Sequence, residues 1–454
     1  MYTIDFQKPI HVHFIGIGGI SMSGLAEILL NRHFTVTGSD MQASDMTKHL
    51  EETGAKVVIG QKAEDITDDI DLVVYTAAIH ESNEEFAAAK NKGVPMMTRA
   101  ALLGQIMANF AKSIAVAGTH GKTTTTSMLT HILLQADTDP TVSVGGMLDR
   151  IGGNIRVGHS DLFLTEACEY TNSFLHFFPK IGVILNIDED HLDFFKDLAD
   201  IRNSFHRFAK LLPKDGTLVI NDNIPDLEEI TADLDCRVIR YGNDSSLDYS
   251  ATNILHDKKG EASFDLVKSG EFIDRISLSV NGDHNVSNAL AAIAIGLRYD
   301  VPMSAIKAQL STFSGQRQNI IHVNDYILID DAYNASPDSM KASLSILSEF
   351  KTRGRKIAVL SDMLELGPDS PEYHKEVGRF IATTKVTDLF ITGELSRHYI
   401  EEAWKENPSL HTRAFSSNGE LIAFLETYLK KNDVVLIKGS NGMNLKEVSK
   451  ALMA

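Results

Sequence analysis

Cysteine is almost missing from this chain: Cys168 and Cys236 are the only two among 454 residues, too few for a disulfide framework. Basic side chains are in deficit as well. Lys and Arg number 43 against 61 Asp and Glu, a net charge of −18. That balance argues against nucleic acid and against an anionic membrane surface as partners, and it requires any anion to be held by local cations. No apolar run approaches the length of a membrane span, and the first residues lack the apolar core of a signal peptide. A reducing cytoplasm is therefore the expected compartment. Internal repeats and low-complexity tracts are absent too. What remains is ordinary for a soluble globular protein, with 43% hydrophobic and 23% charged residues. The length exceeds one core and implies two to four domains.

The most informative stretch is Ala117-Gly-Thr-His-Gly-Lys-Thr-Thr-Thr-Thr126. An apolar run, Ser113–Ala117, precedes it, and Met128, Leu129, Ile132 and Leu133 follow at helical spacing. A strand, a glycine turn, a lysine and a hydroxyl at a helix start make an anion cradle, because backbone N–H groups, the helix N-terminus and an ammonium converge. The strict P-loop pattern is broken where Val116 replaces its first glycine, leaving Gly118-x-x-Gly121-Lys122-Thr123. We read a nucleoside-triphosphate site here: Gly118, Thr119, His120, Gly121, Lys122, Thr123 and Thr124 surround the phosphates. Thr123 offers its hydroxyl to Mg²⁺.

Upstream, His11–Ile15, Phe34–Thr37, Lys56–Ile59 and Leu72–Tyr75 read as strands separated by helices at Met22–Leu30, Met46–Glu52 and Glu84–Lys92. This alternation predicts βαβ units and a parallel sheet. The first turn, Gly16-Ile-Gly18-Gly19-Ile-Ser21, is an imperfect dinucleotide fingerprint whose third glycine is Ser21. Asp40 falls where a ribose-binding acid belongs. Either the turn binds a nucleotide diphosphate, or its glycines serve strand–helix packing.

Downstream, Leu162–Glu166 and Ile181–Asn186 read as strands whose ends carry Glu166 and the acidic string that contains His191. Acids just past strand ends sit in the crevice where α/β sheets bind ligands, and hard oxygens suit Mg²⁺. Thr123, Glu166 and His191 are the expected metal set. Some acids of the string Asp188, Glu189, Asp190 and Asp193 instead favour a helix N-terminus. Residues 237–281 alternate in strand fashion and predict an antiparallel patch. Asn285 and Asn288 share one face at a helix start, to read adenine, hold a phosphate or simply cap the helix. Beyond the linker Phe313–Gln318, αβ alternation resumes, with strands at Tyr326–Ile329, Lys356–Leu360 and Asp433–Ile437.

The fold expected is α/β in three consecutive domains: a Rossmann-like block over 1–110, a P-loop-type central sheet over 111–315, and a Rossmann-like block over 316–454. With these motifs on the page, the chain resembles the Mur ligase family, ATP-dependent amino-acid ligases of peptidoglycan precursor synthesis. The resemblance rests on the stretch His13–Leu29, the stretch Gly118–Thr126, Thr165-Glu-Ala-Cys-Glu-Tyr-Thr-Asn-Ser-Phe-Leu175, Asn186–Asp193 and Gly282–Ala294. His120, and Phe205 and His206 where other branches carry a modified lysine, resemble the L-alanine-adding branch. In the third block, Asp331-Ala-Tyr-Asn334, Leu360–Gly367 and Leu436–Ser440 are instead similar to the D-alanyl-D-alanine-adding branch.

That resemblance implies ATP and Mg²⁺ as cofactors and UDP-N-acetylmuramate and an amino acid as substrates. It assigns Lys122, Glu166 and His191 to catalysis, Asn285, Asn288, Arg317, Asp331 and Asn334 to the nucleotide, and Gly16, Gly18, Gly19 and Asp40 to the UDP-sugar. The incoming group stays open between L-alanine, another amino acid and D-alanyl-D-alanine. A non-catalytic UDP-sugar- or ATP-binding role is a further alternative.

Overall fold

The computed structural model describes residues 2–76, 79–257, 260–314, 319–332, 335–364, 366 and 369–453. Arg317 and Asn334, both expected at the nucleotide, lie outside them. The chain forms two compact units, one of residues 1–188 and 199–314, the other of 189–198 and 315–454. The segment 189–198, expected within the central block, packs with the second unit.

The first unit contains two sheets. Strands β1 (His11–Ile15), β2 (Thr35–Asp40), β3 (Lys56–Ile59), β4 (Leu72–Tyr75) and β5 (Met96–Thr98) lie in the order 3-2-1-4-5. Every pairing in this sheet is parallel. Val12, Phe14, Ile15, Val73 and Val74 are fully buried, as strands covered on both faces require. The order reverses across β1, so the turn leaving its carboxyl end opens into the crevice of a doubly wound sheet. Helix Asp45–Glu52 starts on a Ser44/Thr47 capping box, and Glu84–Lys92 starts on Asn83 and stops at Gly93 in the left-handed region.

The second sheet has ten strands: β6 (Lys112–Ala117), β7 (Thr141–Leu148), β8 (Gly153–Arg156), β9 (Leu162–Glu166), β10 (Ile181–Ile184), β11 (Thr217–Asn221), β12 (Arg237–Gly242), β13 (Tyr249–His256), β14 (Glu261–Lys268) and β15 (Glu271–Asn281). Their order is 15-14-13-12-11-10-6-9-7-8. β6 sits centrally between β10 and β9, parallel to both. Only β13–β15 form the antiparallel patch expected over 237–281, because β12 pairs parallel with β11 and with β13. The two sheets of this unit pack closely through helix glycines. A Cβ on Gly24 would meet the Ile155 side chain at 2.2 Å, and one on Gly104 would meet the His176 carbonyl oxygen at 1.9 Å.

In the second unit, β16 (Asn319–Val323), β17 (Tyr326–Asp331), β18 (Lys356–Ser361), β19 (Asp388–Thr392), β20 (His411–Phe415) and β21 (Val434–Lys438) lie in the order 16-17-21-18-19-20. All pairings are parallel except the β16–β17 hairpin. Apolar clusters fill both faces of this sheet, one around Met340 and Leu344 and the other around Phe390 and Leu421.

Candidate functional site

The phosphate turn leaves β6 at Ala117 and enters the helix Lys122–Gln135. Gly118 has φ +145° and Gly121 φ +85°, where side chains are strained. Space forbids one as well. A Cβ on Gly118 would lie 2.9 Å from Leu185, and one on Gly121 2.6 Å from the Asn288 amide oxygen. Asn186, just past β10, clamps the turn: its Oδ1 accepts from the His120 N–H at 2.7 Å and its Nδ2 donates to the His120 carbonyl at 3.0 Å. Thr119 is held from the same segment, its hydroxyl oxygen accepting the Asp188 N–H at 2.9 Å. Thr124 lies half-buried in the first helical turn.

Lys122 folds back over this turn. Its ammonium donates to the Gly118 carbonyl at 2.6 Å and to the Thr119 carbonyl at 3.2 Å. It also reaches both carboxylate oxygens of Glu169, at 3.0 and 2.9 Å. Thr123 donates its hydroxyl to Glu166 Oε2 at 3.0 Å, and Glu166 Oε1 accepts the Gly145 N–H at 2.6 Å. Between the two acids, burial pushes the Cys168 thiol up to about 11, helped by the Glu169 charge.

Asn285 and Asn288 occupy the first turns of Asp283–Arg298, which starts six residues earlier than the Ala289 expected. They are linked, Asn288 Nδ2 donating to Asn285 Oδ1 at 3.1 Å, while Asn285 Nδ2 bonds the Asn281 carbonyl at 2.7 Å. Asn288 therefore borders Gly121, and the structure brings this amide pair to the phosphate turn.

In the first sheet, Gly16 takes φ +84° directly after β1. Gly18 donates its N–H to Asp40 Oδ2 at 2.9 Å, and a Cβ there would come within 2.9 Å of that same oxygen. Gly19 precedes the helix Ile20–Asn31 with ordinary extended geometry. Asp40 thus braces the glycine turn, and Ser21 accepts from Arg99 Nη1 at 3.0 Å. The missing third glycine has become a hydroxyl tied to an arginine.

Asp331 ends β17, buried, with Lys438 Nζ and Ser343 Oγ on its Oδ2 at 2.7 and 2.5 Å. His191 sits in the left-handed region at φ +54°, its N–H donating to Asp190 Oδ1 at 2.8 Å. It belongs to the 189–198 segment of the second unit.

The structure adds three residues that received no role from the sequence. Glu169 follows Glu166 by three positions, yet nothing in its spacing links it to Lys122. Asn186 had a usable signal, since an amide just past a buried parallel strand lies in the ligand crevice. Lys438 ends the apolar run Val434–Ile437, and a cation there needs a buried partner.

The donor set fits a magnesium ion of the kind that leans on phosphates and water. The Thr123 hydroxyl and the Glu166 carboxylate are hard oxygens already adjacent beside Lys122. Among the described residues no group of three or more His, Cys, Asp and Glu side chains could hold a metal by itself.

Three family models match the chain: "Mur ligase family, catalytic domain" over residues 11–111, "Mur ligase middle domain" over 116–296, and "Mur ligase, glutamate ligase domain" over 316–441. A UDP-N-acetylmuramate–L-alanine ligase of Agathobacter rectalis is 55% identical over 353 residues, 77% of each chain. The one of Clostridium kluyveri is 44% identical over 451 residues, 96% of this chain and 97% of its own. In three dimensions the chain is similar to UDP-N-acetylmuramate–alanine ligase of Thermotoga maritima, with a TM-score of 0.77, 24% identity and 98% of each chain covered.

Proposed function

The chain belongs to the Mur ligase family, and from that premise we propose that it joins L-alanine to the lactyl carboxylate of UDP-N-acetylmuramate with ATP. One observation carries the choice of amino acid. The match to the Clostridium kluyveri L-alanine ligase spans 96% of this chain, the third block included. The third block's likeness to another branch therefore sits inside a chain that aligns over 96% of its length with that L-alanine ligase.

The reaction runs in two steps. A carboxylate oxygen attacks the γ-phosphorus of ATP, giving an acyl phosphate and ADP. The amino-acid amine then attacks the acyl carbon, and inorganic phosphate leaves from the tetrahedral intermediate. The first step brings two anions together and the second expels one, so catalysis is chiefly charge neutralisation and alignment. Lys122 and the N–H groups of 118–123 hold the phosphates. Asn288 and Asn285 line the same turn on the nucleotide side. Thr123 and Glu166 would hold Mg²⁺, which would supply charge neutralisation at the phosphates. Gly16, Gly18 and Gly19, shaped by Asp40, take the UDP diphosphate at the carboxyl end of β1. By family resemblance His191 is assigned to the metal and to catalysis, and Asp331, Arg317 and Asn334 to the nucleotide. The substrates are small molecules and the compartment is the cytoplasm; no described helix is long and apolar enough to cross a membrane.

ADP release from ATP and UDP-N-acetylmuramate, measured with L-alanine, glycine, L-serine and D-alanyl-D-alanine in turn, tests this reading. Release with L-alanine is the expected result. Turnover with the dipeptide alone would show that the third block's strings set specificity. Silence with all four amines would favour a non-catalytic member.

A further inference from the structure

Lys122 is fully engaged by groups of the protein itself. An ammonium has three donors, and here the Gly118 and Thr119 carbonyls and both Glu169 oxygens lie within 3.2 Å of Nζ. Glu169 is 1% exposed, and the lysine side chain retains only 14% of its exposure. A two-oxygen anion gripping this lysine is the same chemistry as a phosphate gripping it.

The backbone is built to deliver that carboxylate. Directly after Glu169, Thr171 and Asn172 both adopt left-handed angles, at φ 53° and 56°. For a β-branched threonine this conformation is costly. The turn is pinned on both sides. Asn172 N–H returns to the Glu169 carbonyl at 2.9 Å, Phe174 N–H reaches the Cys168 carbonyl at 3.0 Å, and Ser204 donates its hydroxyl to the Asn172 amide oxygen. Ser204 stands on a helix whose Phe205 and Phe208 pack against Phe174. The backbone that carries the carboxylate is thus held by Phe174, Ser204 and the helix behind them.

We propose that Glu169 is a positioning residue that stands in for nucleotide phosphate at Lys122, holding the lysine over the turn in the unliganded enzyme and yielding it when ATP enters. This rests on the nucleotide reading of the turn given above. Two consequences follow from the charge. Glu169 competes with the incoming polyanion, so the resting enzyme binds nucleotide more weakly than its turn alone would. The same contact keeps Lys122 oriented, so the lysine needs no search once phosphate arrives. The assignment deepens the known chemistry without giving Glu169 a role on the reacting atoms.

The experiment is ADP affinity by calorimetry and the ATP dependence of turnover in the full chain, with Glu169→Gln and Glu169→Asp. Glu169→Gln removes the competing charge and should tighten ADP and lower KM for ATP by about tenfold, the factor expected when a tenth of the resting molecules offer a free lysine. Glu169→Asp keeps the charge and should return both constants toward wild type. A folded Glu169→Gln enzyme with unchanged or weaker ADP binding would overturn the proposal. Should that variant not fold, an ADP-bound structure of the wild-type chain decides: Lys122 Nζ leaving at least one Glu169 oxygen for phosphate supports the proposal, and retention of both bonds sinks it. Wild-type enzyme that binds neither ADP nor ATP would instead remove the nucleotide reading itself.

Discussion

Asp331 and Lys438 face each other across neighbouring parallel strands, 7% and 3% exposed in their side chains, with 2.7 Å between charged atoms. Breaking a buried pair by removing one partner leaves a desolvated charge behind. Lys438→Met should therefore destabilise the second unit by about 3–5 kcal/mol, whereas adding Asp331→Asn should recover much of it. Chemical denaturation of the two variants reads the coupling, and additive losses would mean that the ions do not stabilise one another. Lys122 calls for a different measurement, since its work is done on phosphate. Lys122→Ala should lower ATP turnover by roughly 10²–10³-fold or more, and near-normal ADP release would refute the cradle. At this scale the sequence reading was uneven for a physical reason. Lys122, Thr123 and Glu166 stand out because a glycine turn and a strand end announce them. Glu169 and Lys438 act through partners far away in sequence, 47 and 107 residues off, and no local pattern encodes such a pairing.

Elements were legible where burial imposes a period, and less so where packing overrides it. β1, β4 and β9 have the ends expected of them, because each is a short buried run bounded by turn residues, and β3 does so as an apolar run that stays largely exposed. β19 and β20 went unread. β19 opens on Asp388, whose buried carboxylate is satisfied by Thr387 beside it and by Tyr428 and His411 from elsewhere in the fold. β20 exposes three of its five residues, so its apolar signal is faint. The helix glycines show the same contest between local preference and packing. Gly104 lies mid-helix in Arg99–Met107, where alanine is the better helix former, yet a Cβ would overlap the His176 carbonyl at 1.9 Å. Gly104→Ala should therefore cost about 1–3 kcal/mol, as overpacking does, instead of stabilising the helix. Gly24→Ala should cost less, because the group it meets is the movable Ile155 side chain. Thermal unfolding of the two variants ranks them, and a Gly104→Ala enzyme as stable as wild type would mean that the sheets of the first unit are free to separate.

Across the whole molecule, alternation of strands and helices sufficed to read three α/β blocks, since a parallel sheet forces helices between its strands. It could not foretell that residues 189–198 would group with the second unit, because that choice depends on surfaces distant in sequence. Charge is the other property that belongs to the chain as a whole. At −18 the folded protein repels itself, and protonation from neutral pH downward first relieves that repulsion. Specific pairs oppose this at lower pH. Hydrogen bonds from Arg156 and His159 hold Asp139 down at about 2 against an ordinary value of 3.8. In the second unit, burial raises the Asp433 carboxyl, but the Arg355 hydrogen bonds outweigh it and leave it below the ordinary value. Asp274, bonded by Lys307, is lowered likewise. A carboxylate depressed in the folded state binds its proton more readily when unfolded. Its contribution is therefore complete above pH ~4 and is lost as pH falls through the folded value. Stability should thus hold or rise slightly from pH 7 to about 5, then fall steeply between about 4 and 2, in both units together. Added salt should raise stability at pH 7, where repulsion dominates, and lower it near pH 4, where screening weakens the pairs. Asp139→Asn should flatten the acid limb for the first unit, measurable as a smaller drop in Tm between pH 4 and 2.5. An acid limb unchanged by that substitution would place the loss in carboxylates other than these paired ones.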